Sequence, residues 1–261
     1  MFFSERHVLF LAGFLILAAP KAWAQTESRR LQDHNAHAWL MYFSDARLSE
    51  RWGVHTEAQL RRSELGASSQ QNFVRLGGNY YVSPRLMLTA GYAYALTYPY
   101  GDYPVASQFP EHRIYQQVLL RDALGRVQFT HRYRLEQRWL RFPGAEDYTY
   151  LNRTRYQLRF TVPLGPTDQL GPRTPYVAAY DEVFVNFGRN VARNTFDQNR
   201  AYLALGYQVS KATSVEAGYL HQLVQQGNGR VFEHNHTLQF TLNFNPDFRP
   251  QSTEPPVSTG Q

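Results

Sequence analysis

Residues 127–138 alternate strictly in character. Val127, Phe129, Tyr133 and Leu135 fall on one parity, and Gln128, Thr130, Arg132, Arg134, Glu136 and Arg138 on the other. Successive side chains of a β-strand point to opposite faces, so the segment predicts a strand with one apolar and one charged face. Residues 148–162 repeat the pattern, with Tyr150, Tyr156, Leu158, Phe160 and Val162 opposite Arg153, Arg155, Gln157 and Arg159. Later, Ala201, Leu203, Leu205, Tyr207 and Val209 oppose Gln198, Arg200 and Tyr202. In the last such segment, Leu238, Phe240, Leu242 and Phe244 oppose Asn235, Thr237, Gln239, Thr241 and Asn243.

Eleven segments have strand character, near residues 36–44, 52–62, 71–82, 86–97, 111–121, 127–140, 148–162, 176–187, 198–209, 214–224 and 233–245. Most reach ten residues, whereas strands in globular proteins have a mode of about 5–6 and a tilted bilayer-crossing strand needs about 9–11. Compact turns (SDARLSER, VSPRL, RDALGR, VSKATS and the longer GPTDQLGPRTP) alternate with polar loops such as YPYGDYPVASQFP and GRNVARNT. Short turns at one end and longer loops at the other belong to an outer-membrane barrel. The expected fold is therefore all-β, a transmembrane antiparallel up-and-down β-barrel.

An arginine facing lipid costs roughly 2–4 kcal/mol at the bilayer midplane. A one-residue slip of the first segment would turn Arg132, Arg134 and Arg138 outward together, so the charged face belongs in the lumen. Bacterial single-chain barrels have even strand numbers. Eleven segments therefore predict one miscount, with twelve strands expected and ten as the alternative. The stretch TESRRLQDHN would be a short first strand or a segment threading the lumen. Trp39, Trp52, Tyr98, Trp139, Tyr148 and Tyr150 are expected in aromatic girdles. Asp181 phases with Val177, Ala179, Val183 and Val185 on the lipid face, so a bulge or an interfacial position is expected there.

Composition sharpens this picture. The chain of 261 residues has Tyr 18 and Phe 17 against Met 3 and Cys 0, which favours strands. A mean hydropathy of −0.50 is compatible with a barrel, because every second residue faces a polar lumen. The formal charge of +6 is interleaved within strands and forms no block, so nucleic acid is not an expected partner. Residues 1–24, with an apolar run from Val8 to Ala19 and Ala22-Trp23-Ala24 as cleavage site, read as a secretory signal peptide, so the mature chain would begin at Gln25. Residues 25–245 would form the barrel. Residues 246–261, rich in Pro, Ser and Thr, would form a disordered tail. Without cysteine there is no disulfide framework and no lipid-anchored cysteine.

The stretches WLMYFSDARLSERWGVHTEAQLRR, HRYRLEQRW, RTRYQLRFTVPLG, YVAAYDEVFVNFG and RAYLALGYQVSKATSVEAGYLHQ, in that order, resemble an uncharacterised outer-membrane β-barrel family of Gram-negative bacteria, a domain of unknown function. The likeness runs from about Ala36 to Phe244. It implies a barrel in the cell outer membrane and carries no catalytic or ligand-binding residues.

Chemistry is sparse. No G-x-S-x-G elbow is present, and the parity of His221 and Ser214 puts them on opposite faces, so no enzyme is expected. His234 and His236 share a face and could take a metal with Glu233, but two imidazoles fall short of the three or four ligands of a zinc site. Rim histidines are the plainer reading, and neither metal nor cofactor is expected. The remaining feature is the inward set Glu57, Arg61, Arg75, Arg113, Arg132, Arg134, Glu136, Arg138, Arg153, Arg155, Arg159, Glu182, Arg200 and Glu216, in which arginine outnumbers carboxylate. It would either fill the lumen by internal pairing or line a narrow, anion-preferring channel with Arg132, Arg134, Arg153 and Arg155 as filter. Alternatives are an outer-membrane lipid hydrolase, and a structural or adhesion barrel acting through loops 98–110 and 188–197. Expected partners are outer-membrane lipid, the barrel assembly machinery during insertion, and small anionic solutes, with the barrel a monomer.

Overall fold

The computed structural model describes residues 30–250 apart from residue 167. The signal-peptide reading of residues 1–24 lies outside the described residues. Eleven strands, Leu31–Arg47 (β1), Trp52–Ser63 (β2), Ser68–Tyr81 (β3), Leu86–Thr97 (β4), Phe109–Leu124 (β5), Val127–Leu140 (β6), Thr149–Pro163 (β7), Thr174–Phe187 (β8), Phe196–Gln208 (β9), Thr213–Gln225 (β10) and Val231–Phe244 (β11), close into one barrel. Among the described residues the only helical element is the single 3₁₀ turn Glu64–Gly66.

Each strand pairs antiparallel with its chain neighbour, but β1 and β11 pair parallel, in unbroken register from Leu31↔Val231 to Phe43↔Asn243. The expectation of twelve or ten strands is therefore corrected to eleven. An odd up-and-down barrel closes only if its first and last strands run the same way, and a parallel ladder is nearly as good as an antiparallel one. Leu31 to Asn35 form the first part of β1, and need no separate strand or lumen-threading role. β1 therefore starts at the end carrying the loops after β2, β4, β6, β8 and β10 (the loop end). β11 finishes at the end carrying the short turns (the turn end). The two termini of the barrel thus lie at opposite ends of the cylinder.

Of the tail expected at residues 246–261, residues 246–250 are described and 251–261 lie outside the described residues. Asp247 bridges Arg47 in a short continuation of the parallel seam, and the Phe248 amide donates to the Arg47 carbonyl. Arg249 donates to Asp247 and Glu50, and its hydrogen bonds hold the Asp247 carboxyl down at about 2.

Facing follows the alternation. Leu40, Leu76, Ile114, Tyr133, Leu203, Leu205, Leu238 and Phe240 are exposed on the outer wall, while the arginines and glutamates between them are buried inside. Trp139 meets Tyr150 at the loop end, with ring centroids 5.2 Å apart, and Trp52 meets Tyr80 at the turn end at 4.9 Å. Trp39 is a correction. It is 1% exposed and points into the lumen, where its indole donates to Gln70 at 2.7 Å. The odd positions of β1 face inward, and the outer parity mixes polar and small residues (Gln32, His34, Ala36, Ala38) with Leu40 and Tyr42, so it contrasts too weakly with Trp39, Met41 and Phe43 to reveal this from sequence.

Asp181 is exposed on the outer face at mid-strand, and the bulge in β8 lies further on, between Phe184 and Val185. Neither expected rescue applies. The Asn199 amide on β9 instead donates to both Asp181 oxygens at 3.0 Å. Close packing inside the wall needs glycine at two crossings. The Tyr176 ring lies over Gly206, its partner in register, and the hydroxyl of Tyr115, the partner of Gly91, reaches Gly77, so any Cβ on Gly206 or Gly77 would overlap a tyrosine.

Candidate functional site: the lumen

All fourteen charged residues expected inside do face inward. Five carboxylates, Asp33, Asp45, Glu111, Asp197 and Glu233, join them. They lie at or just past the ends of the legible alternation, where few repeats exist to fix the phase. Their presence corrects the expected surplus of arginine to near balance, and most of the arginines are neutralised.

Glu136 is the hub. Fully buried on β6, it accepts from Arg153 at 2.6 and 2.8 Å and from Arg155 at 2.8 Å, with Arg75 at 3.5 Å. Arg75 also pairs with Glu57, and Arg153 with Asp197 at 2.7 Å. Arg155 continues to Glu182 at 2.7 Å, which Arg132 meets at 2.9 Å. Arg113 and Arg138 share Glu111, each at 2.5 Å. Nearer the turn end, Glu216 takes Arg159 and the hydroxyl of Tyr176. Arg75 on β3 reaches Glu136 on β6 across the lumen because the intervening inward positions of β4, Thr89, Gly91, Ala93 and Ala95, are small. Guanidinium suits such a mesh, since it stays charged and donates in several directions.

Opposite the mesh is a feature the alternation did not announce. Trp39, Met41, Tyr202, Ala204 and Leu220 form an apolar knot inside the barrel beside the β1–β11 seam, flanked by Phe43 and Tyr180. Leu220 sits on a parity of β10 that is mostly polar or small, and Met41 stands between Trp39 and Phe43 on the inward parity of β1. Mesh and knot together divide the lumen into two chambers, about 200 Å³ towards the loop end and about 190 Å³ towards the turn end. Glu57, Gln59, Arg155 and Arg200 border both. Tyr100, from the loop after β4, reaches over the first chamber. Its hydroxyl donates to Glu233 at 2.7 Å, and burial pushes that hydroxyl well above its ordinary value.

Of the four expected filter residues, Arg132, Arg153 and Arg155 are bound by carboxylates, and Arg134 takes only the Gln117 carbonyl at 2.5 and 3.0 Å. Arg61 and Arg200 lack a carboxylate as well. Arg61 donates, from Nε and one terminal nitrogen, only to the Gln59 side-chain carbonyl. Among the described residues the Arg200 side chain makes no hydrogen bond or ion pair, and its Nε is buried without a partner.

His234 and His236 lie on the outer face at the loop end and are joined there by His34 and His221. Ring centroids are 4.9 Å apart for His34 and His234, and 5.4 Å for His221 and His236. Glu233 faces the lumen, on the other side of the wall, so it is not available to them. No group of three or more His, Cys, Asp or Glu among the described residues is placed to hold a metal ion. Ser214 faces inward and His221 outward, as their parity implied.

A family model described as protein of unknown function (DUF2490) matches residues 36–233. The chain belongs to this family. Neither the curated proteins nor the solved structures contain a match to it. The DUF2490 match begins within β1 and ends just inside β11, so it spans both the ion-pair mesh and the apolar knot.

Proposed function

We propose that this DUF2490 chain is a non-enzymatic outer-membrane barrel whose lumen is shut at mid-height by its own side chains. The observation that carries this reading is the mesh centred on Glu136, closing against the Trp39–Leu220 knot. In a barrel of about 8 strands side chains fill the interior, whereas 16–18 leave a channel. Eleven strands leave space that this sequence fills only at the waist. The long apolar outer face supports the membrane placement. An outer groove lined by Leu40, Leu205, Val215, Phe240 and Leu242 has the character of a surface that acyl chains cover. The loop end would face outward, leaving the chamber under Tyr100 open to external solutes.

Planar-bilayer recording tests the plug. The purified barrel, inserted in phospholipid, is expected to give no steady ohmic conductance at neutral pH. A persistent, porin-sized current would overturn the plugged reading.

A second reading, a narrow anion-preferring passage, draws on one observation. The two chambers share walls, so displacement of a single layer of side chains would join them. Brief, anion-selective openings against a silent baseline would favour it. The arginines acting on the ion would then be Arg61, Arg134 and Arg200, since the others are already paired.

A further inference from the structure

Seven of the ten lumen arginines, Arg75, Arg113, Arg132, Arg138, Arg153, Arg155 and Arg159, carry a carboxylate partner. Two of the remaining three meet in the loop-end chamber. The Arg61 guanidinium carbon lies 4.2 Å from the centroid of the Trp39 ring, and that of Arg200 lies 5.3 Å from the same centroid. Arg200 also stands 4.8 Å from the Phe184 ring. Two buried cations thus share one indole, and among the described residues neither lies within ion-pair distance of an acid: Glu182, opposite Arg200 in register, is taken by Arg132 and Arg155. Arg200 is 7% exposed, and its Nε is buried without a hydrogen-bond partner.

Such a pair is costly. A buried charge demands compensation by an opposite charge and hydrogen bonds, and cation–π contact supplies only about 0.5–2 kcal/mol of it. Elsewhere in this lumen the sequence meets that demand with glutamate or aspartate. The loop-end chamber's own acids, Glu57, Glu111 and Asp197, are taken by Arg75, Arg113, Arg138 and Arg153, and what remains in the lining to meet Arg61 and Arg200 is the amides of Gln59, Gln198 and Gln222. These accept or donate hydrogen bonds without neutralising the charge. The chamber has about 200 Å³ of room, where a single water needs about 10–15 Å³. The missing partner therefore has a place to sit.

We propose that the loop-end chamber is a binding site for a small oxyanion, a carboxylate or phosphate group, held between the guanidiniums of Arg61 and Arg200. A planar fork of N–H donors matches either group in bidentate fashion. Trp39, fixed by its bond to Gln70, holds the two forks on one ring and excludes water from their backs. The site rests on the plugged-lumen reading, because a closed waist makes the chamber a cup that retains its ligand.

The test uses the full chain folded in detergent micelles and equilibrated in a buffer free of phosphate and carboxylates. Inorganic phosphate, and separately acetate, is titrated in while heat release and thermal unfolding are followed. Saturable binding of at least one of the two is expected, with a rise in the unfolding midpoint. Arg200→Gln and Arg61→Gln should each weaken binding at least tenfold while raising the midpoint of the anion-free protein, since each relieves a repulsion. Arg134→Gln, in the other chamber, should bind as the parent does. Absence of saturable binding of both anions by the parent would overturn the site. So would binding that survives Arg200→Gln, or that is lost equally in Arg134→Gln. Any of these failures accompanied by a silent bilayer would remove the site and keep the plug, whereas a steady porin-sized current would remove the plug itself.

Discussion

Glu136→Gln is expected to destabilise the folded barrel by about 3–5 kcal/mol, the range for removing one member of a buried ion pair. Glutamine keeps the shape and volume, so packing is preserved and the loss is electrostatic. Three guanidiniums, those of Arg75, Arg153 and Arg155, would be left around a neutral amide in a fully buried site. Denaturant unfolding in phospholipid vesicles, with parent and variant compared at equal lipid, measures the difference. A change below about 1 kcal/mol, the range of exposed ion pairs, would mean that these arginines are hydrated in an open lumen, and the plug would have to be abandoned.

The second large effect belongs to the outer wall. Leu203 is 60% exposed, near the middle of β9, between Ala179 on β8 and Tyr219 on β10. If water bathed that face, Leu203→Arg would change stability by no more than about 0.5 kcal/mol, as surface substitutions usually do. In lipid the same change is expected to cost roughly 2–4 kcal/mol, the midplane penalty for arginine. Unfolding of the variant in vesicles distinguishes these outcomes, since the substitution removes no contact inside the barrel. A near-zero difference would count against the bilayer as the covering medium.

The inward face of β6 and β7 was legible in the sequence because Arg132, Arg134, Arg138, Arg153, Arg155 and Arg159 share parity within their strands. One misplaced arginine is costly, and three together fix the phase. Where the alternation was weakly marked, it misled. Trp39 read as a girdle residue because an aromatic ring suits either an interface or a packed interior. Its neighbours on β1 put apolar side chains on both parities (Leu40 and Tyr42 against Met41 and Phe43) and so do not decide between them. Met41 lies on a mixed parity of β1 and Leu220 on a mostly polar one of β10, so no period-two reading could show that they meet Trp39, Tyr202 and Ala204 in a knot across the seam.

The strand number was legible as well, since eleven segments were visible. It was then overridden by the even-number rule, which presumes an antiparallel closing pair. What decides the matter is the match between residues 31–43 and 231–243, a contact between distant parts of the chain with no local signature. The identity of the hub was hidden for a similar reason. Glu136 is one of several inward glutamates, and only the chord from Arg75 across the small residues of β4 makes it the meeting point. That no lysine stands among the inward arginines is consistent with this design, the only lysines being Lys21 and Lys211. A point-charge ammonium could not bridge two carboxylates as a guanidinium fork does.

The most direct test of the orientation of the wall is a measurement of what its apolar face touches. The chain has no cysteine, so single cysteines at Leu205, on the outer face of β9, and at Leu124, in the turn-end hairpin, can each carry one fluorophore. Reconstituted in vesicles of brominated lipid, the label at position 205 should be quenched by the acyl chains and insensitive to aqueous iodide, with the reverse at position 124. A label at position 205 that ignores the brominated chains and is quenched by iodide as fully as the one at 124 would contradict the lipid-facing barrel.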